Sequence, residues 1–189
     1  MNSRDLKEDV AEVLISQEEI RAKVKELAHR ISEDYRGQEL LLVCILKGGM
    51  VFLADLMREM EIPVEIDFMA ISSYGDGTVS SGVVRILMDL ETNIEGKNVL
   101  IVEDIIDTGR TIDYITEMLR SRDPASLSIC TLLDKRARRE VEVPLHYIGF
   151  EIPDKFVIGY GLDYGQIYRN LPFIGVLKAE LYRSPESQE

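Results

Sequence analysis

Glu103 and Asp104 stand side by side in an otherwise apolar run, and a third acid, Asp107, opens the polar turn Asp107-Thr108-Gly109-Arg110-Thr111. Adjacent acids flanked by Val99–Val102, Ile105 and Ile106 are costly unless they meet water, a metal or hydroxyl groups. A sugar's vicinal hydroxyls, or Mg2+ through water, would satisfy them. After the turn, Ile112, Ile115, Met118 and Leu119 recur at helical spacing, so the turn lies at a helix N-terminus. Free N–H groups and the helix dipole there favour an anion, most simply a phosphate. Asp107 lies between the acids and the phosphate loop, where it could accept a proton from a substrate nitrogen or stabilise a developing cation. These residues by themselves point to a phosphorylated sugar held by its phosphate at 107–111 and by its hydroxyls at 103–104, with magnesium chemistry nearby.

Three further stretches carry chemistry-bearing side chains. Lys47-Gly48-Gly49 follows the apolar run Leu40–Leu46, and its lysine would suit a pyrophosphate, although the full spacing of a nucleotide-binding P-loop is missing. Lys135, Arg136, Arg138 and Arg139 form a basic cluster at the end of the apolar run Ser126–Leu133. The run from Ser72 to Gly82 is small and polar apart from Tyr74 and Val79, which reads as a lid that excludes water or as an ordinary hairpin tip.

The elements that must position these groups follow from pattern. Val99–Val102, Leu40–Leu46 and Ser126–Leu133 read as strands buried on both faces. Met50–Met60 is helical by pattern, and a helix opens at Ser16, where Glu19 completes a capping-box spacing and Ile20, Val24, Leu27, Ala28 and Ile31 make one apolar face. Pro63–Ile71, Val83–Met88, Pro144–Phe150, Phe156–Gly159 and Phe173–Leu177 read as further strands; residues 1–15 are charged and weakly patterned, and the tail from Arg183 is polar. Alternating strands and helices predict the α/β class, an open parallel sheet flanked by helices. Lys47–Gly49, Glu103–Thr111 and Asp134–Arg136 then share the carboxyl edge of that sheet, where ligands bind in such folds.

The 189 residues, 46% hydrophobic, suffice for one domain with a substantial core. A net charge of −12 opposes a general nucleic-acid or anionic-membrane surface. Cys44 and Cys130 each lie in an apolar run and read as buried and reduced. His29 and His146 are far apart and have no Cys or His nearby, which opposes zinc. With no signal-like apolar N-terminus and no apolar run long enough for a bilayer, a cytoplasmic protein is expected.

Val102–Ile112 resembles the 5-phosphoribosyl 1-pyrophosphate (PRPP) motif of the type I phosphoribosyltransferases. Leu46-Lys47-Gly48-Gly49, Ser73-Tyr74-Gly75, Lys135-Arg136, Phe156-Val157 and Gly159-Tyr160-Gly161-Leu162-Asp163-Tyr164 with Arg169 are similar to the hypoxanthine-guanine branch of that family, and the match runs from about Leu40 to Leu177. The resemblance implies one domain over 1–189, a core of about 37–150, and a small hood from the N-terminal segment and about 151–180. It implies that Asp107, Thr108, Gly109, Arg110 and Thr111 cradle the 5′-phosphate, largely through backbone N–H groups. Glu103 and Asp104 would hold the ribose hydroxyls and a Mg2+ shell, with Asp163, on the base side, a further Mg2+ ligand. Lys47, Gly48 and Arg169 would meet the pyrophosphate, and the bond before Lys47 is often cis in the family. Lys135 would donate to the purine 6-oxo group, Phe156 would stack on the base and Val157 would contact its edge. Ser73 and Tyr74 would ride on the lid.

The implied reaction joins hypoxanthine or guanine to PRPP, giving the nucleoside 5′-monophosphate and pyrophosphate, with Asp107 the candidate base at purine N7. Lys135 only donates, which favours 6-oxopurines over adenine. Homodimers or homotetramers are usual in the family. Two rivals remain at this point. One is a transferase acting on xanthine, uracil or orotate; the other is a PRPP-sensing regulator, which the net charge and the acid at Asp107 oppose.

Overall fold

The computed structural model describes residues 5–73 and 84–182. Its centre is a six-stranded sheet in the order β4-β3-β2-β5-β6-β7, built from β2 (Leu40–Leu46), β3 (Val64–Ser73), β4 (Val84–Met88), β5 (Asn98–Ile106), β6 (Ser126–Asp134) and β7 (Tyr147–Glu151). All neighbours run parallel except β4, which pairs antiparallel with β3 at the edge. The expected open parallel sheet flanked by helices is present, with β4 added antiparallel at one edge. Ten residues separate β3 from β4, and a parallel crossover needs a dozen or more, on the order of one helix plus two loops. The lid stretch between these strands, including Tyr74, lies outside the described residues, and Ser73 closes β3.

Leu40–Ile45 and Val99–Glu103 are buried throughout, as expected of central strands covered on both faces. Helices α1 (Gln17–Asp34) and α2 (Met50–Glu59) cover one face, where Leu27, Ile31, Phe52 and Leu56 pack on Leu42, Leu100 and Leu132. Helix α3 (Arg110–Arg120) covers the other, setting Ile112, Ile115 and Leu119 against Val43, Ile101 and Ile129. At the start of α1 the Ser16 hydroxyl accepts from the Glu19 N–H at 3.2 Å, and the Glu19 carboxylate accepts from the Ser16 N–H at 2.8 Å. The two central connections, through α2 and through α3, leave in opposite directions, so the crevice between β2 and β5 is the topological switch point of the sheet.

A second sheet, β1-β9-β8, joins β1 (Val10–Ile15) to β9 (Ile174–Leu177) and β8 (Val157–Ile158), all antiparallel. Strand β1 was not legible in the weakly patterned N-terminal stretch. Its Ala11, Glu12 and Val13 are all exposed, so no alternation marks it, and its partner lies at the other end of the chain. Tyr168 Oη donates to the buried Asp9 carboxylate at 2.8 Å and ties the same two ends together. Cys44 and Cys130 are free and buried. No helix among the described residues is long and apolar enough to cross a membrane.

Asp67 pins β3 to the approach to β5. Its carboxylate accepts from the Phe68 N–H at 2.7 Å and from the Thr92 N–H at 2.8 Å. Burial alone would raise its pKa, but these N–H groups outweigh that and hold it below the ordinary value. A depressed folded-state pKa stabilises above the unfolded value, near 4, and that contribution is lost as the pH falls through the folded value. Asp67→Ala is expected to cost about 2 kcal/mol at neutral pH. It should also flatten the fall of thermal midpoint on acidification below pH ~4. Calorimetry of both proteins from pH 3 to pH 7 checks it, and parallel curves would remove the assignment.

Candidate active site

Strand β5 carries the acids to the carboxyl edge of the sheet. The register pairs Val102 with Cys44 on β2 and Ile106 with Asp134 on β6. Lys47 and Gly48 therefore emerge beside Asp104, and Lys135 emerges beside Asp107. A cavity of about 250 Å³ lies here, lined by Gly48, the whole segment Glu103–Gly109, Thr111 and apolar residues of β2 and β3. Sequence reasoning ended β5 at Val102; it continues to Ile106, so Glu103 and Asp104 lie within the strand.

Glu103 is buried, and desolvation first, then repulsion from Asp104, lift its pKa well above the ordinary carboxylate value. Desolvation likewise raises that of Asp104 to about 6. Asp104 Oδ1 accepts from the Ile105 N–H at 2.9 Å, and neither acid forms an ion pair with a described residue. The Asp104 carboxylate lies so close to Gly48 that any side chain there would overlap it.

Beyond β5 the chain turns through Asp107 and Thr108 into α3. Gly109, at φ +87°, is the N-cap and has no side chain to offer, while the Thr108 hydroxyl accepts from the Arg110 N–H at a long 3.4 Å. Thr108 O accepts from the Glu140 and Val141 N–H groups at 2.9 and 3.0 Å, which fastens the loop from below. The Arg110 side chain turns away to Glu140, with Nε 2.6 Å from the carboxylate. Asp107 Oδ1 is buried and accepts no hydrogen bond from a described residue. Arg138 Nε lies 3.3 Å from it, near enough for charge pairing but not aligned as a donor.

The residues expected to meet the base lie at the end of β6 and around β8. Lys135 is buried, with Nζ donating to the Lys155 carbonyl at 2.9 Å and 3.8 Å from Asp154. Phe156 stacks on Tyr182 at 4.8 Å and meets Tyr164 edge-on at 5.6 Å, while Val157 is buried on β8. The residues expected to meet the pyrophosphate come together across the loop. The Leu46–Lys47 bond is cis. Lys47 Nζ donates to Gln166 Oε1 at 3.2 Å, and Arg169 reaches the same oxygen at 3.3 Å, the Gly161 carbonyl at 2.6 Å and Asp163 at 2.7 Å.

Residues 13–165 match the family described as the phosphoribosyl transferase domain. The chain belongs to that family. It is 50% identical over 179 residues to the hypoxanthine-guanine phosphoribosyltransferase of Bacillus subtilis (strain 168), a match covering 95% of this chain and 99% of that protein. It is 54% identical over 166 residues to the hypoxanthine phosphoribosyltransferase of Salmonella typhimurium, covering 87% and 93%. A crystal structure of a hypoxanthine phosphoribosyltransferase from Staphylococcus aureus superposes with a TM-score of 0.92 at 48% identity, over 97% of this chain and all of that one. Its mostly parallel sheet flanked by helices is the type I phosphoribosyltransferase fold.

Within this phosphoribosyltransferase fold, several contacts escaped the sequence. Gln166 bridges Lys47 and Arg169, and its only signal is its place between Asp163 and Arg169. Arg138 was visible as one member of a basic cluster, but its position beside Asp107 depends on the turn that follows β6. Tyr182 covers one face of Phe156, and nothing in its neighbourhood marks it. Asp154 sits between Lys135 and Arg138, 3.8 and 3.9 Å away.

Proposed function

We propose that this protein transfers the 5-phosphoribosyl group of PRPP to hypoxanthine or guanine, releasing pyrophosphate and forming IMP or GMP, a purine-salvage reaction. The observation that carries the reading is the convergence, at the carboxyl edge of the sheet, of the glycine-capped α3 N-terminus, the acids of β5, the Lys47–Gly48 loop and Lys135. The named relatives support the same substrates.

In this reading the N–H groups at the start of α3, with Asp107, Thr108, Gly109, Arg110 and Thr111 around them, bind the 5′-phosphate. Glu103 and Asp104 face the ribose hydroxyls. Lys47, Gly48 and Arg169 bind the pyrophosphate, whose departure leaves cationic character at the ribose C1. Lys135 donates from Nζ to the purine O6 while a second of its three hydrogens keeps the Lys155 carbonyl, and Phe156 and Val157 bind the ring. Asp107 takes the N7 proton as the new bond forms. The lid of Ser73 and Tyr74 excludes water, a role that rests on the family resemblance.

Glu103, Asp104 and Asp163 are hard oxygen donors, the set that Mg2+ takes. Two adjacent acids, Glu103 buried and Asp104 half-buried, without an ion-pair partner among the described residues fit a divalent cation. When bound, Mg2+ supplies neutralisation of the charge that the leaving pyrophosphate gathers. The single domain of 1–189, with a core of about 37–150 and a hood from both ends, belongs to the same proposal. So do a cytoplasmic location, consistent with two free cysteines, and a homodimer or homotetramer. The apolar Ile66, Leu87 and Met88 exposed at the β3–β4 edge would favour such self-association.

A spectrophotometric assay with PRPP, Mg2+ and each of hypoxanthine, guanine, xanthine and adenine tests the reading. Turnover is expected with hypoxanthine and guanine. No turnover with any base would overturn it, and turnover with xanthine alone would replace it by the xanthine-specific alternative.

A further inference from the structure

Tyr160 lines none of the cavity that holds Asp107, yet it adopts a left-handed backbone conformation, φ +50°, in the segment that carries Asp163 and Arg169. A non-glycine residue persists there only when its surroundings over-determine it. Here they do. Tyr160 Oη donates to Asp55 Oδ2 on α2 at 2.6 Å. Its N–H donates to the Leu171 carbonyl at 2.8 Å, and the next N–H, of Gly161, donates to the Arg169 carbonyl at 3.0 Å. Burial and the Asp55 carboxylate both raise the phenol's pKa, so it remains a donor.

Both ends of this bond lead to the pyrophosphate side. Helix α2 starts at Met50, immediately after Lys47-Gly48-Gly49, so Asp55 stands on the element that carries that loop. Gly161, at φ +100°, presses its backbone against the Gly48 carbonyl so closely that a Cβ would overlap the oxygen. The Gly161 carbonyl in turn accepts from Arg169 Nη1 at 2.6 Å. Behind the bond lies a separate cavity of about 530 Å³ between α1, α2 and the 169–172 segment, with Tyr160 and Asp55 in its wall. The ring therefore has space to shift if the bond is lost. The base-side residues Lys135, Phe156 and Val157 are held instead by β6 and β8.

We propose that Tyr160 and Asp55 are positioning residues for the PRPP pyrophosphate: their hydrogen bond holds Gly161 against Gly48 and thereby sets the spacing between the Lys47–Gly48 loop and Arg169. The inference rests on reading Lys47, Gly48 and Arg169 as the pyrophosphate side. It assigns a function to two residues that touch no substrate and explains why a tyrosine occupies a left-handed position in this loop.

The test uses the full chain with Tyr160→Phe, Asp55→Ala, Asp55→Asn and the double variant Tyr160→Phe/Asp55→Ala. The readouts are the KM values for PRPP and for hypoxanthine, the thermal midpoint, and the calorimetric Kd of pyrophosphate with Mg2+. Losing one hydrogen bond to a charged group should raise the PRPP KM and the pyrophosphate Kd roughly 10-fold in Tyr160→Phe and in Asp55→Ala. The hypoxanthine KM should stay within about twofold, Asp55→Asn should recover part of the loss because it still accepts, and the double variant should be no worse than either single one. An unchanged pyrophosphate Kd, equal rises in both KM values, or additive losses in the double variant would overturn the inference. If the unmodified protein binds no pyrophosphate, the reading beneath it is overturned as well.

Discussion

Asp107→Asn is expected to lower the single-turnover rate by ~10²–10⁴ while PRPP binding changes little, the usual effect of deleting a general base. Asparagine keeps the size and the backbone of the loop, so the N–H groups at the start of α3 stay in place. It cannot take a proton. In the proposed reaction the proton goes to the Asp107 carboxylate, whose Oδ1 is buried and holds no hydrogen bond from a described residue. Arg138 is the nearby cation at 3.3 Å, on a pair whose side chains are 42% and 38% exposed. Such a pair contributes only about 0–1 kcal/mol, so Arg138→Ala should change the rate far less than Asp107→Asn. Single-turnover measurement matters because product release limits many enzymes in steady state. A single-turnover rate for Asp107→Asn within a few-fold of the parent would remove Asp107 as the base.

The second large effect concerns the choice of base. Lys135→Ala should collapse the preference for hypoxanthine over adenine, a preference that a built hydrogen-bonding site can carry to ~10⁴–10⁵. The ammonium only donates. With Nζ buried and already oriented by the Lys155 carbonyl, it would meet the adenine amino group donor to donor. The 6-oxo group of hypoxanthine or guanine would accept instead. The loss should therefore fall on kcat/KM for hypoxanthine, with adenine nearly unaffected. Losing the contact to Lys155 also destabilises the segment by about 1–3 kcal/mol, so a thermal midpoint belongs beside the kinetics. Competing-base assays decide it: the same adenine discrimination before and after the substitution would count against Lys135.

The readable parts of the chain are those whose cause is local. The capping box at Ser16 and Glu19 and the apolar face of α1 each lie within one helix, and both occur as their spacing predicts. The apolar runs of β2, β5 and β6 are continuous because both faces are covered, so a single run reveals a central strand. The sequence Glu103-Asp104…Asp107-Thr108-Gly109 is legible for a similar reason. Acids in an apolar run conflict with burial, and that conflict marks a site wherever the strand ends.

What depended on the tertiary structure is whatever spans distant segments. Strand β1 exists because β9 lies beside it, although its own pattern does not ask for a strand. The antiparallel edge at β4 follows from a short connection. Gln166 against Lys47, Arg138 against Asp107, and Tyr160 against Asp55 are pairs up to 119 residues apart in the chain, brought together when the loops at the carboxyl edge meet. Spacing along a sequence encodes periodicity over a few residues and the cost of burying a charge. It does not encode which loops face each other across a crevice. So the turn at 107–111, the acids before it and the sheet that presents them were determined by the amino-acid sequence read locally. The partners that hold Asp107, Lys135 and Arg169 in place were decided only by how distant segments pack at the carboxyl edge of the sheet.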